Sequence, residues 1–214
     1  WDPVTLAVAI GSAVTVATLL LTEGPRRSTA AAVIGTFAAL LVTALLAGLV
    51  TGIARFSVRG GSEEAAFLRG LTGLDLDLGG LVLASIILGA LGVLDDVTVT
   101  QAVAVEELAR SDRVASRATL ARRAMNVGRA HIAATVNTLV LAYVAASLPL
   151  LLLFALSPQP LGALASTEIV AVEVLRAIVG SIGIVLAVPF TTFVAARLAP
   201  RPPVEAESVA RIAG

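Results

Sequence analysis

Two adjacent carboxylates, Asp95 and Asp96, interrupt a stretch of the chain that is otherwise almost wholly apolar. Seventeen mostly apolar residues precede the pair, and residues 97–105 are interrupted only by threonines and Gln101. In one continuous helix the pair lies about 25 Å from the start of this run. A charge at such a depth in a bilayer is costly unless it faces other helices, pairs or takes up a proton. The pair is therefore predicted to bind and release a proton near neutral pH.

The two aspartates cannot both face the same neighbour, because adjacent residues of a helix point about 100° apart. One is predicted to face other helices, while the other caps a helix or contacts water. Thr98 shares the face of Asp95, and Thr100 shares that of Asp96. The alternative interpretation ends the span at residue 94, so that Asp95 or Asp96 becomes the N-cap of a second helix.

Thr135, Asn137 and Thr138 are the other polar side chains expected at a similar depth. They open the next predicted span, where Asn137 is a natural hydrogen-bond partner for Asp95 across the bundle. Polar residues of this kind also hold transmembrane helices together without any further role. Both interpretations stay open on the sequence.

The composition places these residues in lipid rather than in water. Of 214 residues, 57% are hydrophobic and 14% are charged, and the mean hydropathy is +0.96. An ordinary soluble domain has about 25% charged residues. Zero net charge and 4% aromatic residues argue against nucleic-acid binding. With no cysteine and only one histidine, His131, we expect no disulfide, metal or cofactor.

Five stretches approach the roughly 20 apolar residues that a helix needs to cross the hydrocarbon core. The predicted fold class is therefore an all-α membrane protein with a bundle of five transmembrane helices in residues 1–198. A polar C-terminal tail is predicted for residues 199–214. The five predicted spans are residues 4–21, 30–54, 78–98, 132–156 and 177–196.

The arginines predict the orientation of this bundle. Eleven lie in the first and third connections and after the fifth span, against three in the second connection. Short cytoplasmic loops are enriched in arginine, so the N-terminus is expected outside and the C-terminus in the cytoplasm. The third connection, residues 102–129, mixes apolar and charged residues at helical spacing. It predicts one or two amphipathic cytoplasmic helices at the membrane surface, with a solvated loop as the alternative.

Three segments of the sequence resemble the YibE/F family of bacterial integral membrane proteins. They are GALGVLDDVTVTQ, NVGRAHIAATVNTLVLAYVAASLPLLLLF and EVLRAIVGSIGIVLAVPFTTFVAA, and the resemblance is strong from residue 80 to residue 196. Members of this family are described as membrane proteins or permeases. The resemblance implies a multi-pass protein of the bacterial cytoplasmic membrane, without naming a substrate.

The order of these segments is also distantly similar to the membrane half of SecD/SecF and the resistance-nodulation-division superfamily. There the matching span carries an aspartate used in proton coupling, which falls on Asp95 or Asp96. An asparagine–threonine pair opens the next span and matches Asn137 and Thr138. This chain departs from that pattern in having two aspartates side by side.

The predicted function is thus a permease-like protein that moves a small solute, coupled to protons through Asp95 or Asp96. The alternative is a membrane scaffold that transports nothing. It would assemble with a paralogous subunit, a second copy or an extracytoplasmic domain. An intramembrane aspartyl protease is not expected, because such an enzyme needs aspartates that converge from two helices, and no other predicted span carries one. The expected partners are the lipid bilayer, one such subunit and the solute, without nucleic acid.

Overall fold

The described part of the chain is almost wholly helical. The computed structural model describes residues 2–54, 78–157 and 166–200, together with residues 70, 160, 162 and 163. Its helices are, in chain order, α1 (Pro3–Thr22), α2 (Arg27–Ala54), α3 (Leu78–Ser111), α4 (Arg117–Ala146), α5 (Leu148–Leu156) and α6 (Glu168–Leu198). The described residues contain no strand, so the predicted all-α class is confirmed.

Five of these helices, all except α5, are long and apolar enough to cross a membrane. This agrees with the five predicted spans, although the bounds differ. The longest, α3, has 34 residues and extends about 51 Å, which exceeds the roughly 30 Å of a hydrocarbon core. The predicted tail lies outside the described residues beyond residue 200.

The predicted connection between the third and fourth spans is not a separate amphipathic helix. Instead α3 continues to Ser111, α4 begins at Arg117, and only residues 112–116 join them. The ends of both helices are amphipathic because one face of each is buried in the bundle. Ala102 and Val105 of α3 share a buried cluster with Leu120 of α4 and with residues of α2 and α6.

The predicted fourth span, 132–156, is interrupted at Ser147, where α4 ends and the short α5 begins. Pro149 lies in the first turn of α5. Proline has no backbone N–H and its ring clashes with the carbonyl four residues earlier, so α4 cannot continue through it. The helix that can cross the membrane is therefore residues 117–146.

Helix α3 lies at the centre of the bundle and contacts α1, α2, α4 and α6. Helices α2, α3 and α6 pack on one another and enclose the main apolar core, which includes Leu40, Leu94 and Ile184. Helix α1 packs mainly on α3, and α4 covers α6 and α3. Asp95 thus lies on the helix with the most neighbours.

The arginines of the first and third connections and of the end of α6 meet at one end of the bundle. Arg26, Arg27 and Arg110 surround one cavity with Leu198. We call this the arginine-rich end. Among the described residues of this end, one ion pair joins a helix to a connection, from Arg123 of α4 to Asp112, at 2.8 Å. The hydrogen bond from Arg123 holds the pKa of the Asp112 carboxyl below its usual range.

Candidate proton-binding site

Asp95 and Asp96 lie inside α3, which continues for several turns on both sides of the pair. Neither residue can be an N-cap, since an N-cap precedes the first helical residue. The alternative interpretation, in which a span ends at residue 94, is therefore wrong. The apolar pattern of residues 97–105 continues the same helix instead.

The Asp95 side chain is distant from charged surface along its own helix. The next charged residue after the pair is Glu106, eleven positions beyond Asp95, which is about 16 Å along a helix. Leu94 and Val97, which flank the aspartate pair in the sequence, are fully buried in the main core. This depth agrees with the predicted place of the carboxyl in the apolar part of the bundle.

Three threonines surround Asp95, and each comes from a different helix. The hydroxyls of Thr15 on α1 and Thr36 on α2 lie close enough to its carboxyl to interact with it. The Thr36 and Thr98 hydroxyl oxygens are 2.6 Å apart, and Thr98 also donates to the Asp95 backbone carbonyl, at 3.2 Å. All three threonines are buried. Asp95 therefore lies where α1, α2 and α3 meet.

One oxygen of this carboxyl has no partner. Asp95 is half-buried, and its Oδ1 is fully buried without a hydrogen bond to any described residue. A buried polar atom without a partner costs about 1–3 kcal/mol, and more when it carries charge. A proton bound to the carboxyl removes that charge, so the geometry suits a group that gains and loses a proton.

The threonine hydroxyls can follow such a change, because each hydroxyl has only one proton to donate. When Asp95 is ionised, Thr36 can donate to the carboxylate and Thr98 can donate to Thr36. When Asp95 is protonated, Thr36 can donate to Thr98, and Thr98 to the backbone carbonyl of Asp95. Both arrangements fit the short Thr36–Thr98 distance of 2.6 Å. Protonation of Asp95 thus lowers the number of hydrogen bonds between α2 and α3 from two to one.

Asp96 faces away from this cluster. Its side chain is exposed on the outer face of α3, and Thr100 donates to its backbone carbonyl at 2.7 Å. The structure thus separates the two aspartates as the 100° rotation predicts. Asp95 faces its neighbours and Asp96 does not.

The structure does not bring Asn137 or Thr138 to Asp95. Both side chains are exposed on α4, and Thr138 donates to the carbonyl of Ala134 in its own helix, at 3.0 Å. The cause is the direction in which these side chains point around the axis of α4. The buried residues of α4 lie on the face that packs on the bundle, and Asn137 and Thr138 lie on a different face. The buried residues of α4 are Leu120, Ala124, Gly128 and Leu139.

A second buried polar contact lies about two turns from Asp95 towards the arginine-rich end. The Gln101 amide nitrogen donates to the Ala124 carbonyl at 3.0 Å and to the Thr192 hydroxyl at 2.6 Å. This links α3 to both α4 and α6. Gly128 makes the contact possible, since a Cβ there would lie 2.8 Å from the Gln101 Oε1.

Thr15 and Thr36 were not expected at the site, although the sequence of α2 contains a signal for one of them. Thr29, Thr36 and Thr43 recur every seven residues, and all three are buried. Seven residues are nearly two turns of helix, so this spacing places them on one face. A buried threonine stripe on an apolar helix indicates contact with polar groups of a neighbour.

The contribution of the hydroxyl contact can be measured on α2. We expect Thr36→Val to lower the free energy of unfolding by about 1 kcal/mol, because it removes a buried interhelical hydrogen bond. Thr43→Val is the matched control, since its hydroxyl donates only to Ala39 of the same helix and its loss should cost less. Unfolding in mixed micelles measures both; equal losses would contradict the assigned contact.

A further polar cluster lies towards the other end of the bundle. Arg176 donates to Glu173 at 2.7 Å and to the Ser85 hydroxyl at 3.0 Å, joining α6 to α3. Its Nε is buried without a partner among the described residues. Tyr143 of α4 lies close enough for its hydroxyl to interact with both charges. This cluster is about ten residues of α3 away from Asp95.

Five long apolar helices around a buried polar site define a multi-pass membrane protein. A family model described as YibE/F-like protein matches residues 1–201. The chain therefore belongs to the YibE/F family, as its sequence motifs predict. Searches among curated proteins and solved structures gave no match, and the likeness to SecD/SecF stays a prediction.

Proposed function

We propose that this protein is a proton-coupled permease for a small solute rather than an enzyme, with Asp95 as the group that carries the proton. The observation that supports this most is the buried, unpartnered Oδ1 of Asp95 at the junction of three helices. A charge in that place is costly, and a bound proton neutralises it.

In this mechanism the proton controls how the helices are joined. When ionised, the carboxylate can accept hydrogen bonds from the nearby Thr15 and Thr36 hydroxyls, which would join α1 and α2 to α3. Protonation weakens both hydrogen bonds, because a neutral carboxyl is a poorer acceptor than a carboxylate, and Thr36 can then donate to Thr98 on the same helix as Asp95. The two protonation states thus favour different contacts between α1, α2 and α3. A ligand or ion shifts a conformational equilibrium only through such a difference between states.

The proposed orientation places the arginine-rich end in the cytoplasm. This follows from the charge rule for short loops and is supported by the meeting of Arg26, Arg27 and Arg110 at one end of the bundle. Protons from outside would then reach Asp95 past the Arg176 cluster. Protons released inside would pass Gln101.

Flux through reconstituted protein tests the proposal. Liposomes with a pH-sensitive dye inside are given a pH gradient, and classes of small solutes are added on one side. We expect at least one solute to accelerate the collapse of the gradient with wild-type protein, and not with Asp95→Asn. The same rate in wild type, variant and empty liposomes for every class would contradict the proposal.

A second candidate function, a scaffold that assembles with another membrane subunit, is favoured by one observation on α4. In its most apolar stretch this helix has the smallest share of buried residues of the five candidate spans, and its exposed face carries Asn137 and Thr138. An amide facing lipid is unfavourable and finds a partner on another helix when one is available. A paralogous subunit or a second copy would supply that partner.

Cysteine crosslinking tests the second candidate cleanly, because the chain has no natural cysteine. If two copies meet along α4, Asn137→Cys should form a disulfide-linked dimer on mild oxidation in membranes. Ile182→Cys, on the exposed face of α6, is the control and should stay monomeric. Equal crosslinking at both positions would indicate random collision and contradict a specific self-assembly.

A further inference from the structure

A cavity of about 420 Å³ opens at the arginine-rich end, between the start of α2 and the ends of α3 and α6. Its wall is apolar where Ala102, Ala195 and Leu198 line it, and basic where Arg26 and Arg27 do. It lies just beyond Gln101, at the boundary between the apolar bundle and the charged end. The cavity thus joins an apolar wall to a cationic rim.

Glu106 also lines this cavity, but neighbouring acids neutralise only part of the positive charge of the rim. Arg110 is already bound to Glu106 and Glu107, whereas Arg26 and Arg27 form no ion pair with any described residue. One nitrogen of Arg27 is 3.5 Å from the carbonyl of Leu198, which leaves its other donors available. Arg26 and Arg27 therefore line a shared cavity whose acidic lining residue, Glu106, is paired with Arg110.

The backbone at this point also favours an anion. Helix α2 begins at Arg27 and has 28 residues. The N–H groups of its first turn have no carbonyl acceptor within the helix, and the positive end of the helix dipole lies there. Gly24, with a φ of +73°, makes the sharp turn from α1 that brings this start to the cavity. Arginine and a helix start together are a common arrangement for binding phosphate.

We propose that this cavity binds a phosphate group through Arg26 and Arg27. The group belongs to the headgroup of an anionic membrane lipid or to a soluble phosphate compound. The apolar wall suits the upper part of a lipid chain, and basic pockets between membrane helices commonly hold such headgroups. Binding here is independent of the proton at Asp95.

Lipid retention tests the first source. Full-length protein is taken from nanodiscs of mixed phosphatidylglycerol and phosphatidylcholine, and bound lipid is counted by native mass spectrometry. We expect the double variant Arg26→Gln/Arg27→Gln to retain phosphatidylglycerol about tenfold less than wild type. Arg122→Gln/Arg129→Gln removes the same charge outside the cavity and should retain it normally.

Thermal unfolding in neutral detergent tests the second source, with inorganic phosphate as the probe and chloride at equal ionic strength as the reference. A midpoint raised by phosphate in wild type, but not in Arg26→Gln/Arg27→Gln, assigns the site to the phosphate group itself. If wild type retains phosphatidylglycerol but phosphate does not raise its unfolding midpoint, the site binds the lipid headgroup and not soluble phosphate. Equal behaviour of both double variants in both assays would overturn the proposal. Asp95→Asn should bind phosphatidylglycerol and phosphate as wild type does. A failure of the phosphate proposal can therefore be distinguished from a failure of the proton proposal.

Discussion

The Asp95→Asn variant should lose all flux driven by a pH gradient, down to the rate of protein-free liposomes. Asparagine has nearly the same shape and still accepts hydrogen bonds from Thr15 and Thr36, but it cannot bind or release a proton in this range of pH. The protein should stay folded. Its free energy of unfolding should change by no more than about 1 kcal/mol, since no contact is lost and a half-buried charge is removed.

Asp96→Asn is the matched control for this experiment. It makes the same chemical change one residue away, on the exposed face of α3. We expect it to retain most of the flux at unchanged stability. If Asp96→Asn loses the flux while Asp95→Asn keeps it, the proton is carried by Asp96 and the assignment to Asp95 is wrong. Loss in both would mean that the pair acts as a unit.

The largest effect on stability is expected at Gly35, in the contact between α2 and α6. A Cβ built at Gly35 would lie 2.1 Å from the Thr191 hydroxyl oxygen and 3.1 Å from its Cα. Because the second atom is backbone, a side-chain rotation cannot relieve the clash. Gly35→Ala should lower the free energy of unfolding by about 1–3 kcal/mol. Denaturation in mixed micelles measures the loss.

Gly92→Ala provides the control for Gly35→Ala. Gly92 also lies within a helix, α3, but a Cβ there meets no atom within 4 Å. Alanine has the better helix propensity, so this variant should be as stable as wild type or gain up to about 1 kcal/mol. Similar destabilisation by both substitutions would show that helix packing at Gly35 is not as close as described. Thr36 follows Gly35 directly, so Gly35→Ala should also disturb the hydroxyl contact with Thr98.

The helical bundle could be predicted from the sequence because five apolar stretches are long enough to span a membrane. The helix ends could not, because the pattern after residue 98 contains charged residues and yet continues the same helix. Ala102 and Val105 are almost fully buried there, while Glu106 and Arg110 pair on the outer face. An amphipathic sequence does not distinguish a helix on a membrane surface from one packed on protein.

The position of Asp95 in a long apolar helix could also be predicted, because two carboxylates in such a run are conspicuous. The residues that contact Asp95 could not be predicted. The sequence shows how far along a helix a residue lies, but not which neighbouring helix its side chain faces. Asn137 is expected at a similar depth, yet it lies on the exposed face of α4. Thr15 and Thr36 supply the nearby hydroxyls instead, and threonine is too common in apolar helices to attract notice alone.

Difference infrared spectra across a change of pH test most directly whether Asp95 carries a proton within the bundle. Reconstituted wild type and Asp96→Asn should both show a protonated-carboxyl band that appears as the pH falls and that Asp95→Asn lacks. Thr36→Val should shift its frequency, because the hydroxyl contacts that carboxyl. A band that persists unchanged in Asp95→Asn, or spectra that show no carboxyl titration, would contradict the proposed role of Asp95.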